Sequence, residues 1–157
     1  MRRKEREVTR KEEIISIINS ADVCRVSFAD NNTPYIVTMN FGFIEADKPV
    51  LYFHCAPRGR KLDMLRKNSY VCFEMDVDHE LYNGAKGCEW GMKFRSIVGY
   101  GNIFIVEDYD ERKRGLDCIM DHYGGNGNHD YDEKVLDRTT ILRLEILEMT
   151  AKSTTKE

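Results

Sequence analysis

The residues most able to do chemistry lie together in Leu51-Tyr52-Phe53-His54-Cys55-Ala56-Pro57-Arg58-Gly59-Arg60-Lys61-Leu62-Asp63-Met64-Leu65. An apolar run ends at His54 and Cys55, a Pro/Gly turn follows, and the spacing predicts a short helix starting near Gly59 or Arg60. Arg58, Arg60 and Lys61 crowd the positive end of that helix, where each cation costs about 0.3–1 kcal/mol. A bound phosphate removes the conflict. It meets free backbone N–H groups and charge-assisted contacts from Arg60 and Lys61, each worth about 1.5–3 kcal/mol. A solvated basic turn that tolerates the mismatch fits the same spacing. His54 and Cys55 are no dyad, because neighbours on a strand point to opposite faces.

A second segment, Tyr35-Ile36-Val37-Thr38-Met39-Asn40-Phe41-Gly42-Phe43, is apolar at every odd position and should turn that face to a core. Its even face carries Thr38, Asn40 and Gly42. A mid-strand Asn beside a Gly suits a flat polar group approaching the backbone closely; an ordinary solvent face is the other reading. Weaker signals surround these two. Asp78 to Phe94 reads as a long irregular stretch holding Gly84, Gly87, Cys88, Trp90 and Gly91, either a functional cover or a loop whose Trp90 packs on the barrel. His122-Tyr123-Gly124-Gly125-Asn126-Gly127-Asn128-His129-Asp130 follows a helix and not a strand, so it reads as a helix end running into a loop. The four histidines show no metal-ligand spacing with the cysteines, and no metal site is expected.

The elements that must position these residues alternate mainly with a period of two. Thr9 and Glu12 match a capping box in front of a helix over 10–19, with Ile14, Ile17 and Ile18 on one face. Strands are predicted at Cys24–Phe28, about Tyr35–Phe43, Val50–Cys55, Tyr70–Val77, Ser96–Val106 and Thr140–Met149, with a short polar tail after the last. Gly99 and Gly101 mark bends or bulges. A second helix spans Asp108 to Tyr123, capped by Asp108 and Glu111, with Leu116, Ile119, Met120 and Tyr123 as its apolar stripe. No βαβ repeat occurs, so the fold is mainly β: an antiparallel barrel with flanking helices, in one domain over 1–157.

The chain has 157 residues, 41% of them hydrophobic and 32% charged, with a net charge of -3. That is enough for one core without staples and gives no basic surplus for nucleic acid. No run approaches the ~20 apolar residues of a membrane helix. The start Met1-Arg2-Arg3-Lys4-Glu5-Arg6 leads into more charge and no signal-peptide core, so a cytoplasmic location is expected. Five separated cysteines with no CxxC fit a reducing compartment.

Taken in order, four groups of residues resemble the nitroimidazole-resistance (Nim) family of the pyridoxamine 5'-phosphate oxidase-like group. They are Ala21–Val26, Pro34–Gly42, Leu51–Ala56 with Gly59-Arg60-Lys61, and Ser96-Ile97-Val98-Gly99-Tyr100-Gly101. The resemblance covers about Met1 to Tyr123. It implies an FMN-binding split barrel and a homodimer with two FMN sites between the subunits. By position, Arg60 and Lys61 would hold the phosphate and His54 would lie beside it or near the ring. Val37, Thr38, Met39 and Asn40 would line the isoalloxazine, and Ser96 would approach from an interface strand. The implied activity is an FMN-dependent oxidoreductase reducing a small acceptor such as a nitroaromatic, with His54 the candidate acid or base. A non-catalytic flavin-binding or redox-sensing module, or a haem-binding member of the same fold group, remains open. The C-terminal residues lack the Arg/His motif of a true pyridoxamine phosphate oxidase, which disfavours vitamin B6 oxidation.

Overall fold

The period-two segments pair into one antiparallel sheet in a computed structural model that describes residues 3–125 and 129–154. Its elements are β1 (Glu7–Val8), α1 (Lys11–Ser20), β2 (Cys24–Asp30), β3 (Thr33–Met39), β4 (Phe41–Ile44) and β5 (Val50–Cys55). Then come α2 (Arg60–Leu65), β6 (Tyr70–Tyr82), β7 (Gly91–Val106), α3 (Tyr109–His122), α4 (Glu133–Asp137) and β8 (Thr140–Ser153). The strand order is β3-β2-β6-β7-β8-β5-β4, with β1 beside β8. The two ends of this order are consecutive in the chain. β3 pairs with β2 at one edge and β4 with β5 at the other, so the chain crosses between the edges at Asn40. The barrel is closed there by covalent chain and not by a hydrogen-bonded ladder, which makes it a split barrel.

Alternation decides what fills it. Val26, Phe28, Phe41, Phe53, Phe73, Met75, Ile97, Ile103, Leu142 and Leu144 are all buried at the core. Ile17 and Ile18 of α1 are completely buried with them, each worth about 1.5–3 kcal/mol, and half-buried Ile14 packs against the same cluster. A smaller cluster of Tyr52, Val106, Ile119 and Ile141 lies where α3 meets β5 and β8. The α3 cap is as the sequence indicates, with the Glu111 N–H donating to Asp108 Oδ1 at 2.8 Å. The strand register shifts between Tyr100 and Gly101, the bulge that the paired glycines marked.

Several boundaries differ from the sequence reading, each for a physical reason. The N-cap of α1 is Arg10, whose carbonyl accepts from Ile14 N, so Thr9 lies one residue too early to cap. The predicted strand Tyr35–Phe43 is two strands, because Asn40 changes partners. Gly42 admits no flat ligand: a Cβ there would stand 2.5 Å from the backbone of Cys118, so the glycine serves the approach of α3. The stretch 78–94 is mostly a hairpin that prolongs β6 and β7, with Leu81 opposite Met92. Trp90 does not pack on the barrel; it is half-exposed and donates to the Gly84 carbonyl at 3.1 Å within its own hairpin. In α3, Ile119 is buried but Met120 and Tyr123 stay largely exposed. β8 continues through Ala151, Lys152 and Ser153 by pairing with both β1 and β7, so those residues are not tail. Met1 and Arg2, the Asn126–Asn128 part of the glycine-rich loop, and Thr155–Glu157 lie outside the described residues.

Candidate functional site

The split leaves an open cleft of about 460 Å³, lined by Val37, Thr38, Met39, Asn40, His54, Cys55, Ala56, Lys61, Arg138 and Thr139. Its volume is in the range of small-molecule and cofactor sites. The wall from β3 follows from alternation: Met39 is buried and Val37 half-buried, while Thr38 and Asn40 are exposed. On β5 the same rule exposes His54 and buries Cys55. Burial raises the Cys55 thiol above its ordinary range, with the Lys61 charge opposing, so this sulfur stays a protonated wall atom.

Beyond β5 the chain must reverse quickly. Gly59 does so with φ +142°, a conformation that L side chains rarely adopt. Its carbonyl then accepts from Leu62 N at 2.9 Å and Asp63 N at 3.2 Å, starting α2. Leu62, Met64 and Leu65 bury the inner side of that turn. The three cations of the turn separate as a result. Lys61 is half-buried in the cleft, Arg60 lies over the Tyr35 ring at 4.6 Å, and Arg58 is exposed. No carboxylate lines the cleft among the described residues, so its charge comes from Lys61 and Arg138.

Six of the eight residues expected from the sequence therefore meet: Val37, Thr38, Met39, Asn40, His54 and Lys61. Arg60 does not line the cleft. Ser96 lies opposite Asp76 and Lys152 on the outer face of β7, three strands from Thr38 in the same chain. Arg138 and Thr139 belong to the lining and were not foreseen. The only local signal for them was Asp132, which caps α4 by accepting from Lys134 N at 2.8 Å. Their place depends on a distant register: Thr140 opposes Cys55, so Thr139 and Arg138 flank the end of β5.

A larger hollow of about 660 Å³ lies between β4, α3 and the end of α1. Its lining carries Glu45, Asp117 and Asp121 beside Arg114, with Lys11 on Glu45 at 2.7 Å and Lys113 on Asp117 at 3.5 Å, a set of carboxylates unsuited to a phosphate. Cys88 is exposed at the tip of the β6–β7 hairpin. Among the described residues no group of three His, Cys, Asp or Glu could hold a metal ion. No helix among the described residues is long and apolar enough to cross a membrane.

The family model described as pyridoxamine 5'-phosphate oxidase matches residues 10–153. Among solved structures, a candidate 5-nitroimidazole antibiotic resistance protein from Bacteroides thetaiotaomicron is 33% identical, with 94% of this chain and 86% of that chain covered and a TM-score of 0.80. The flavocytochrome Anf3 from Azotobacter vinelandii is 18% identical over 99% of this chain and 72% of that one, with a TM-score of 0.77. An FAD and heme binding protein from Mycobacterium smegmatis is 17% identical over 96% and 74%, with a TM-score of 0.82. At such identity these last two share the fold alone. No curated protein matches the chain.

Proposed function

Because the chain belongs to the pyridoxamine 5'-phosphate oxidase family, we propose that its cleft binds a flavin, FMN, and that the protein is an oxidoreductase acting on a small acceptor such as a nitroaromatic. The observation that carries this reading is the convergence of Val37, Thr38, Met39, Asn40, His54 and Lys61 on one cleft at the split of the barrel. The similar folds of a flavocytochrome and of an FAD- and haem-binding protein favour a flavin over an unrelated ligand.

The lining residues fit such a group. A flavin needs a flat apolar slot, a few polar groups at its edge and an anchored phosphate. The backbone of Val37 to Asn40 offers an edge for the ring, Thr38 and Asn40 add polar side chains, and Lys61 is an anchor with no competing carboxylate. Bound there, the flavin would supply the electron transfer itself. The chain's part is to bind it, orient its ring against β3 and hold a proton on the imidazole of His54. In this reading the active form is a homodimer, and Ser96, three strands from Thr38 in its own chain, would face the cleft of the other copy as the family resemblance implies.

The visible spectrum of the purified protein, with chromatography of the chromophore released by heat, tests the reading. A flavin spectrum and released FMN are expected. A colourless protein that takes up no added FMN overturns the reading, and a haem spectrum replaces it with the haem-binding alternative. Bound FMN without oxidation of reduced nicotinamide in the presence of a nitroaromatic leaves a non-catalytic flavin module.

A further inference from the structure

We propose that Arg138 is the second cation of the cleft's phosphate end and that, with Lys61, it selects a phosphate monoester dianion over the same ring system without phosphate. This inference rests on the flavin reading of the cleft and adds to it a residue outside the motifs that suggested it.

The argument begins with how the corner between α4 and β8 is held. Leu136 is buried and anchors the short helix. Arg112 of α3 reaches over and donates through Nη2 to the carbonyls of Leu136 and Thr139, the latter at 3.1 Å. Thr139 Oγ1 donates to the Val135 carbonyl at 2.8 Å. Arg138 therefore stands between two residues whose carbonyls one guanidinium clamps. Arg112 is occupied by backbone, whereas the Arg138 side chain has no hydrogen-bond or ion-pair partner among the described residues and lines the cleft.

Register brings it to the end of β5 that Lys61 also borders. β8 enters the sheet with Thr140 against Cys55, and α2 begins five residues after Cys55, so the two cations approach the end of β5 from its β8 side and its α2 side. With no carboxylate lining the space between them, two charges converge without an internal counter-ion. A guanidinium offers a planar fork that matches phosphate oxygens, and an ammonium adds a compact point charge. A neutral ribityl hydroxyl would gain little from either.

Titration of wild-type protein and of Arg138→Ala with FMN and with riboflavin, followed by flavin fluorescence, tests the assignment. Arg138→Ala should lose roughly 10- to 100-fold in FMN affinity and keep its riboflavin affinity. The wild-type preference for FMN should also grow as pH rises through the second phosphate ionisation near about 6, and the variant should flatten that rise. If the alanine variant folds poorly by circular dichroism, Arg138→Gln keeps a polar side chain without the charge and should show the same selective loss. Equal weakening of both ligands, or unchanged FMN affinity, overturns the proposal. Wild-type protein that binds both flavins with no preference overturns the cation pair alone; binding of neither overturns the flavin reading as well.

Discussion

Lys61 and His54 share one cleft but should fail differently when replaced. Lys61→Ala removes a charge-assisted contact, so FMN affinity should fall by about 1.5–3 kcal/mol with turnover of the fully loaded protein little changed. His54→Ala should instead lower turnover at saturating FMN, if its imidazole moves a proton; steady-state rates across pH separate the two cases. A His54→Ala protein that only binds FMN more weakly would make His54 a phosphate contact. At this scale much was legible, because alternation alone fixes which of Val37, Thr38, Met39 and Asn40 face inward. Cys55 was also readable as a buried neighbour of His54, and its raised thiol follows from that burial. Arg138 was not legible. A lone Arg in a polar stretch carries no pattern, and only the pairing of β8 with β5 brings it to the cleft.

Elements were readable in kind more than in extent. Tyr35–Phe43 satisfies the period of a single strand throughout, and nothing local tells that its two halves belong to opposite edges of the sheet. The hairpin over 78–94 was hidden because glycines and charges replace the β-branched residues that advertise strands, and a register shift at Asp78, with φ +58°, interrupts the ladder. Arg95 pairs with Asp78 there and reaches Ser16 of α1 at 3.3 Å, tying the root of the hairpin to the barrel. Gly42 gives the sharpest test at this scale. A methyl group would meet backbone atoms of Cys118 and Ile119 at 2.5–2.6 Å, and backbone cannot swing aside as a side chain can. Gly42→Ala should therefore destabilise by about 1–3 kcal/mol through displacement of α3, read as a lower thermal midpoint. An unchanged midpoint would mean that α3 shifts without loss.

The whole molecule presents an outer sheet face that one chain does not cover. Across it run Thr38, Arg25, Glu74, Val98 and Thr150 in one row, and Cys72, Tyr100 and Glu148 in the next. Val98 is 39% exposed and Tyr100 38%, and Tyr100 stacks on exposed Tyr70 with ring centroids 5.9 Å apart. Ser96 is on this same face, one outward position from Val98, so a partner seated on Val98 and Tyr100 would also bring Ser96 against foreign chain. Exposed Val98, Tyr100 and Tyr70 are where the proposed homodimer would seat its partner, and a stable interface needs roughly 800 Å² from each copy. Wild-type protein should thus sediment at about twice the 18.3 kDa of the chain. Val98→Arg is the discriminating change. Its guanidinium would lie beside Glu74, its cross-strand neighbour, so a folded monomer can accommodate it, whereas a dimer must bury a charge against its own copy. The variant should sediment as a folded monomer and lose flavin affinity together with the partner's Ser96. A wild-type monomer at micromolar concentration, or a Val98→Arg monomer with full flavin affinity, would mean that each cleft is complete within one chain.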